Sequence, residues 1–144
     1  MKENKLETNK SVFDTLSKVK LTLQKKGRFN YASWAEAWSK VKSIYPEANY
    51  RVISYKTPEK GDKLVHPISK NGGGFVLVEV TLGNLTHQEY FPILNNFNKS
   101  IAYDMITAFD VNTSIKRGLV KCLALHGLGL YVFDGDEFPQ EEGK

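Results

Sequence analysis

The stretch from Phe75 to Phe91 constrains the fold more than any other part of this 144-residue chain. Val76, Val78, Val80 and Leu82 alternate with Phe75, Leu77, Glu79 and Thr81, the period of two that puts one set on each face of a β-strand. Gly83-Asn84 then fits a two-residue hairpin turn that returns the chain through Leu85 to Phe91. Two strands are expected before it. One runs from Tyr50 to Lys56, and after a turn over residues 57–62 a weaker one runs from Lys63 to Ser69, tolerating Pro67 only near an edge or bulge. Asn71-Gly72-Gly73-Gly74 makes the turn into Phe75. Short sequential strands joined by tight turns make an antiparallel meander, one face of which needs cover.

Segments of helical period flank the strands and supply that cover. Ser33 and Glu36 form a capping box, after which Trp34, Ala37, Trp38, Val41, Ile44 and Tyr45 lie along one stripe until Pro46. Upstream, Ser11 with Asp14 can cap a helix bearing Phe13, Leu16, Val19 and Leu23, stopped by Gly27. Downstream, residues 92–109 read as a loop with a short helix. A third main helix is expected from Asp110, with Ile115, Leu119, Cys122, Leu123 and His126 on one side and its end at Gly127 or Gly129. Leu130 to Phe133 then reads as a short strand or extended segment. The expected fold class is α+β: an antiparallel β-meander of three to four strands packed against a long C-terminal helix, with two N-terminal helices. Residues 1–10 are expected to be a flexible arm, 11–133 one domain and 134–144 an acidic tail. A domain of about this length buries roughly 68–70% of its unfolded surface, so it needs no metal or disulfide to hold it.

Several chemistries lack their residues. The lone Cys122 excludes an internal disulfide, and the chain has no cysteine–histidine set for structural zinc. No apolar run approaches the ~20 residues of a membrane span, and residues 1–10 lack a signal peptide's apolar segment. The expectation is a protein of the reducing cytoplasm with no membrane partner. The Gly72-Gly73-Gly74 run joins two strands and Gly127-x-Gly129 follows a helix, so neither is a phosphate-binding loop. His66, His87 and His126 are isolated, and His126, on an apolar helix side, reads as a core residue instead of a base. Asp104, Asp110, Asp134 and Asp136 could gather around Mg²⁺, but Asp110 stands where a helix cap belongs and the last two belong to the tail. No cofactor, metal or catalytic residue is expected, and the chain does not read as an enzyme.

Charge points elsewhere. The net +4 conceals an asymmetry: residues 134–144 hold five acids and one lysine, so the rest hold 19 cations against 11 acids, a net of +8. From Val111 to Val132 there is no acid, while Thr113, Arg117 and Lys121 recur at a spacing of four with Lys116 beside them. Unpaired cations in a row suit a phosphate chain. Lys25, Lys26 and Arg28 form a second acid-free cluster, followed by Tyr31, which precedes the helix cap and is the candidate for stacking on unpaired bases. Trp34 and Trp38 lie on the apolar stripe and are assigned to the core. Arg51 and Tyr55 alternate onto one strand face, expected to be the wet one, and Lys99 lies in the unassigned loop. The candidate nucleic-acid-binding residues are therefore Lys116, Arg117, Lys121, Lys25, Lys26, Arg28, Tyr31, Arg51, Tyr55 and Lys99.

Three strings carry a family likeness: Tyr31-Ala32-Ser33-Trp34-Ala35-Glu36-Ala37-Trp38, then Tyr45-Pro46-Glu47-Ala48-Asn49-Tyr50, then Phe109-Asp110-Val111-Asn112 through Lys116-Arg117-Gly118-Leu119-Val120-Lys121 to Gly127-Leu128-Gly129-Leu130-Tyr131. In this order they resemble the phage single-strand annealing proteins of the Sak type, over roughly residues 11–138. The pattern Ser114-x-Lys116-Arg117-x-Leu119 with the glycine-rich segment and Tyr131 is also similar to the DNA-binding helix of the eukaryotic Rad-type annealing protein. The resemblance implies a β-meander packed on a long helix, assembled into rings or helical filaments with single-stranded DNA in a basic groove. Lys116, Arg117 and Lys121 match the basic helix positions. The implied function is ATP-independent binding of single-stranded DNA and annealing of complementary strands in phage homologous recombination, in the cytoplasm of a bacterial host. A homo-oligomer is implied, with a phage or host single-strand-binding protein or exonuclease as further partners. The alternatives are a non-enzymatic phage interaction module using an exposed sheet edge, and a Mg²⁺-dependent nuclease.

Overall fold

The computed structural model describes residues 9–26, 29–56, 64–65 and 73–134. The elements in chain order are α1 (Asn9–Ser17), β1 (Leu23–Lys26), β2 (Phe29–Ala32), α2 (Trp34–Ile44), β3 (Asn49–Ile53), β4 (Tyr55–Lys56), β5 (Leu64–Val65), β6 (Phe75–Leu82), β7 (Leu85–Pro92) and α3 (Ala108–Leu125). Single 3₁₀ turns cover Tyr103–Met105 and Leu130–Phe133. The protein is α+β, with an antiparallel sheet in the order β3-β6-β7 and two separate ribbons, β1-β2 and β4-β5.

The β6–β7 hairpin follows from its alternation. Leu82 pairs with Leu85 across a two-residue turn, and Gly83 takes the positive φ of +61° that the corner requires. Val76, Val78, Val80 and Leu82 are all fully buried on the face that carries α3. Leu119, Cys122 and Leu123 of α3, Val12 and Leu16 of α1, and Ala37 and Val41 of α2 join the same core. Each fully buried aliphatic side chain contributes about 1.5–3 kcal/mol, so stability is concentrated at this seam. At Gly118 helix and sheet come close: a Cβ there would lie 3.0 Å from Val78 Cγ2 and 3.1 Å from Phe91 Cβ.

Buried groups at the seam carry the protonation that burial dictates. His126, only 2% exposed, caps the C-terminus of α3 and places Nε2 3.0 Å from the Val80 carbonyl oxygen. Burial pushes its imidazole below the usual range, so the core reading of His126 holds. Burial likewise pushes the Cys122 thiol up to about 12. On the sheet's other face Arg51 pairs with Glu79, and the Gln88 amide donates to the same carboxylate at 2.9 Å. These two donors hold the Glu79 carboxyl below its usual range.

Four expectations are corrected. First, the helix expected from Ser11 to Gly27 is α1, and it stops at Ser17. It buries Val12 and Leu16, while Phe13 is exposed. Leu23 satisfies a period of two as well as of 3.6, and Leu23–Lys26 pairs with Phe29–Ala32 instead. Thr22 N–H donates to Glu36 Oε1 at 3.0 Å, tying the entry of β1 to the first turn of α2. That draws Glu36 away from a reciprocal box, so α2 keeps the Ser33 half, in which Ser33 Oγ accepts from Glu36 N–H. Second, the Tyr50–Lys56 strand breaks at Ser54, and the strand expected over Lys63 to Ser69 is described as Leu64–Val65 alone, paired with β4 and outside the main sheet. The other residues of that segment lie outside the described residues. Third, α3 begins at Ala108, not Asp110. Thr107 is its cap, accepting from Asp110 N–H at 3.2 Å while Asp110 Oδ2 accepts from Thr107 N–H at 3.0 Å. Fourth, Leu130–Phe133 is a 3₁₀ turn, entered through Gly129 at φ +71°.

Candidate nucleic-acid interface

The helical spacing of α3 sends two adjacent rows of side chains away from the sheet: Asn112, Lys116 and Val120 in one, Thr113, Arg117 and Lys121 in the other. All but Lys121 line a groove of about 350 Å³. Its other wall is β2, from Asn30 to Ala32, with Trp34 at the start of α2. Phe91 of β7, Asn98, and Val132 with Phe133 of the last 3₁₀ turn complete the lining. The Asn98 position is built locally. Asn95 Oδ1 accepts from the N–H groups of Phe97 and Lys99 at 2.8 and 3.1 Å, and Asn98 adopts φ +60°, the left-handed region that asparagine tolerates. This turn delivers Asn98 Nδ2 to the Tyr31 hydroxyl at 3.1 Å.

The cations of this groove stand on aromatic rings. Lys116 Nζ lies 4.3 Å from the Trp34 ring centroid and donates to the Tyr50 hydroxyl at 3.3 Å. The Arg117 guanidinium lies 5.1 Å from the Phe91 centroid and 5.7 Å from that of Tyr31. Lys121 Nζ is 5.9 Å from both Phe91 and Phe133. Among the described residues the ion pairs are Lys10–Asp14, Lys40–Glu36 and Arg51–Glu79, none of them in the groove. Lys116, Arg117 and Lys121 thus stand on rings, and no described residue forms an ion pair with them.

The structure gathers some of the sequence candidates and separates others. Lys116, Arg117 and Tyr31 line the groove, and Lys121 stands at its end beside Phe133. Lys25 is exposed on β1 opposite Asn30, next to the groove wall, and Lys99 is exposed beside Asn98. Arg51 is on the wet face as expected, but that face is the far side of the sheet, and its charge is spent on Glu79. Lys26 ends β1 and Tyr55 pairs with Val65 in the β4-β5 ribbon, their side chains outside the described residues, as is all of Arg28. Sequence reasoning placed Trp34 in the core, yet it is 40% exposed and forms groove wall, while Trp38 packs edge-on against Tyr50 at 5.2 Å. The signal was available: Trp34 is the first residue after the cap, where a helix has not yet closed on its neighbours. Phe91, Asn98 and Phe133 were not nominated, because they come from three chain segments outside α3 and nothing local in each marks the convergence, and Asn112, on α3 itself, carries neither charge nor ring to single it out.

Unneutralised cations, aromatic faces and amide side chains in one open groove make the chemistry of a surface for an unpaired polynucleotide. The chain belongs to the Sak single-strand annealing protein family, whose sequence model matches residues 7–144 and so takes in the whole groove. A search among curated proteins found no match. Membership in a family of single-strand annealing proteins implies single-stranded DNA as the partner.

Proposed function

We propose that this chain binds single-stranded DNA by its phosphates along α3 and anneals complementary strands without ATP, in phage recombination within a bacterial host's cytoplasm. The observation that carries the reading is the row Lys116, Arg117 and Lys121, fixed on aromatic rings and free of acids in a chain of this family. Two DNA strands repel through their phosphates; cations reduce that repulsion, and base pairing supplies the driving energy. A homo-oligomeric ring or filament sets successive grooves end to end, so one strand is held extended across many copies. No residue need act as acid, base or nucleophile.

The test is annealing of labelled complementary oligonucleotides with EDTA and no nucleotide, where complete annealing is expected. An absolute requirement for Mg²⁺ or ATP, or cleavage of the strands, refutes the proposal and favours the nuclease alternative. Size-exclusion mass with and without single-stranded DNA checks the assembly: a large species that gains DNA is expected, whereas a DNA-indifferent monomer favours an interaction module.

A further inference from the structure

Trp34 is the most exposed large ring of the groove wall, and the Lys116 ammonium lies over its face, 4.3 Å from the ring centroid. Tyr31 is half-buried, with the Arg117 guanidinium 5.7 Å from its ring centroid. A cation over an aromatic face at an exposed site is held weakly, and less strongly than the same cation in a charge-assisted hydrogen bond to a phosphate. A strand entering the groove therefore draws Lys116 and Arg117 off their rings, and doing so uncovers two flat apolar faces at the moment unstacked bases arrive. The groove, at about 350 Å³, has room for a base besides the backbone. Its polar lining includes Asn30, Asn98 and Asn112. Each amide offers both a donor and acceptors, so together they serve the edge of any base without selecting one.

We propose that the groove is a nucleobase site as well as a phosphate track: Trp34, with Tyr31, stacks an unpaired base once Lys116 and Arg117 have passed to phosphates. This rests on the proposed DNA-binding function of the same groove. The exchange makes phosphate binding a precondition of stacking, so a free base or nucleoside has no access to the rings, and a strand lacking bases still has access to the cations.

The test compares binding of an oligothymidylate and of an abasic deoxyribose-phosphate strand of equal length at one salt concentration, for the unaltered protein, Trp34→Leu and Trp34→Phe. The unaltered protein should prefer the oligothymidylate by roughly 5- to 150-fold, the range that stacking one base on an aromatic side chain supplies. Trp34→Leu should lose most of this preference, and Trp34→Phe should restore it. Equal affinity of the unaltered protein for both strands overturns the base site and leaves the phosphate groove standing. Retention of the full preference by Trp34→Leu overturns the assignment to Trp34. Binding of either strand that is indifferent to loss of Lys116, Arg117 and Lys121 together overturns the groove itself. Because the two-strand comparison on the unaltered protein involves no substitution, it reads the proposal even if a variant folds poorly.

Discussion

Replacing Lys116, Arg117 and Lys121 together by Gln should change the salt dependence of DNA binding by an amount the structure sets. Each is without an ion-pair partner among the described residues, so each is available to neutralise one phosphate. Single-stranded DNA releases about 0.7 counterion per phosphate neutralised. Counting Lys25 and Lys99, which flank the groove, about five phosphates are met per chain, and the slope of log affinity on log salt should be near −3.5. The triple variant should fall to about −1.4. Between 50 and 200 mM salt the unaltered protein then loses affinity about 130-fold and the variant only about 7-fold. Arg51→Gln is the matched control: it removes one charge from the same chain, but a charge held by Glu79 on the far face of the sheet. Its slope should remain near −3.5. Fluorescence anisotropy of a labelled oligothymidylate across a salt series measures all three. A triple variant, folded by circular dichroism, with an unchanged slope would refute the reasoning, and so would an Arg51→Gln slope reduced as much as that of a single groove substitution.

Gly118→Val should lower stability by about 1–3 kcal/mol, because even a Cβ meets Val78 and Phe91 at 3.0 and 3.1 Å; an unchanged thermal midpoint would show that the seam yields freely. Stability should also fall with acid through His126, whose folded pKa burial holds below the free value. The unfolded chain then binds the proton first, so the stability is fully present above about pH 6.5 and is lost as pH falls through the depressed folded value. His87 of β7, with its ring 4.4 Å away, and Lys10 and Asp14 of α1 border the same hollow. His126→Gln should flatten the decline of thermal midpoint between pH 7.5 and 5.5, and an equal decline in both proteins would sink the assignment. Deleting residues 134–144, which hold five acids and one lysine and follow groove-lining Phe133 in the sequence, should tighten DNA binding at low salt and lose that advantage at high salt. Weaker binding after deletion would show that the segment helps to hold DNA.

Features that live within one element were legible in the sequence. The faces of β6 need only a period of two, the Ser33 cap only its neighbour Glu36, and the cation row only a spacing of four on α3. Elsewhere two local solutions competed. Leu23 fits a helix stripe and a strand equally well, and the structure pairs it with Ala32 in the β1-β2 ribbon. Thr107 and Asp110 are both good caps, and the structure uses the pair in one box instead of choosing between them. The groove's second wall was hidden for a further reason. Tyr31 in β2, Trp34 at the start of α2, Asn98 and Phe133 come from separate segments, and nothing within any one of them marks their convergence.

The Arg51–Glu79–Gln88 ladder has a consequence for encounter, not only for the sheet it braces. The ladder neutralises the Arg51 cation on that face of the sheet, while the cations of α3 have no ion-pair partner among the described residues. Among the described residues, the α3 side and the Arg51 side therefore differ toward an approaching polyanion. Beyond contact range a strand feels a field that turns the molecule before they touch, so productive collisions should be a larger share of all collisions than random tumbling allows.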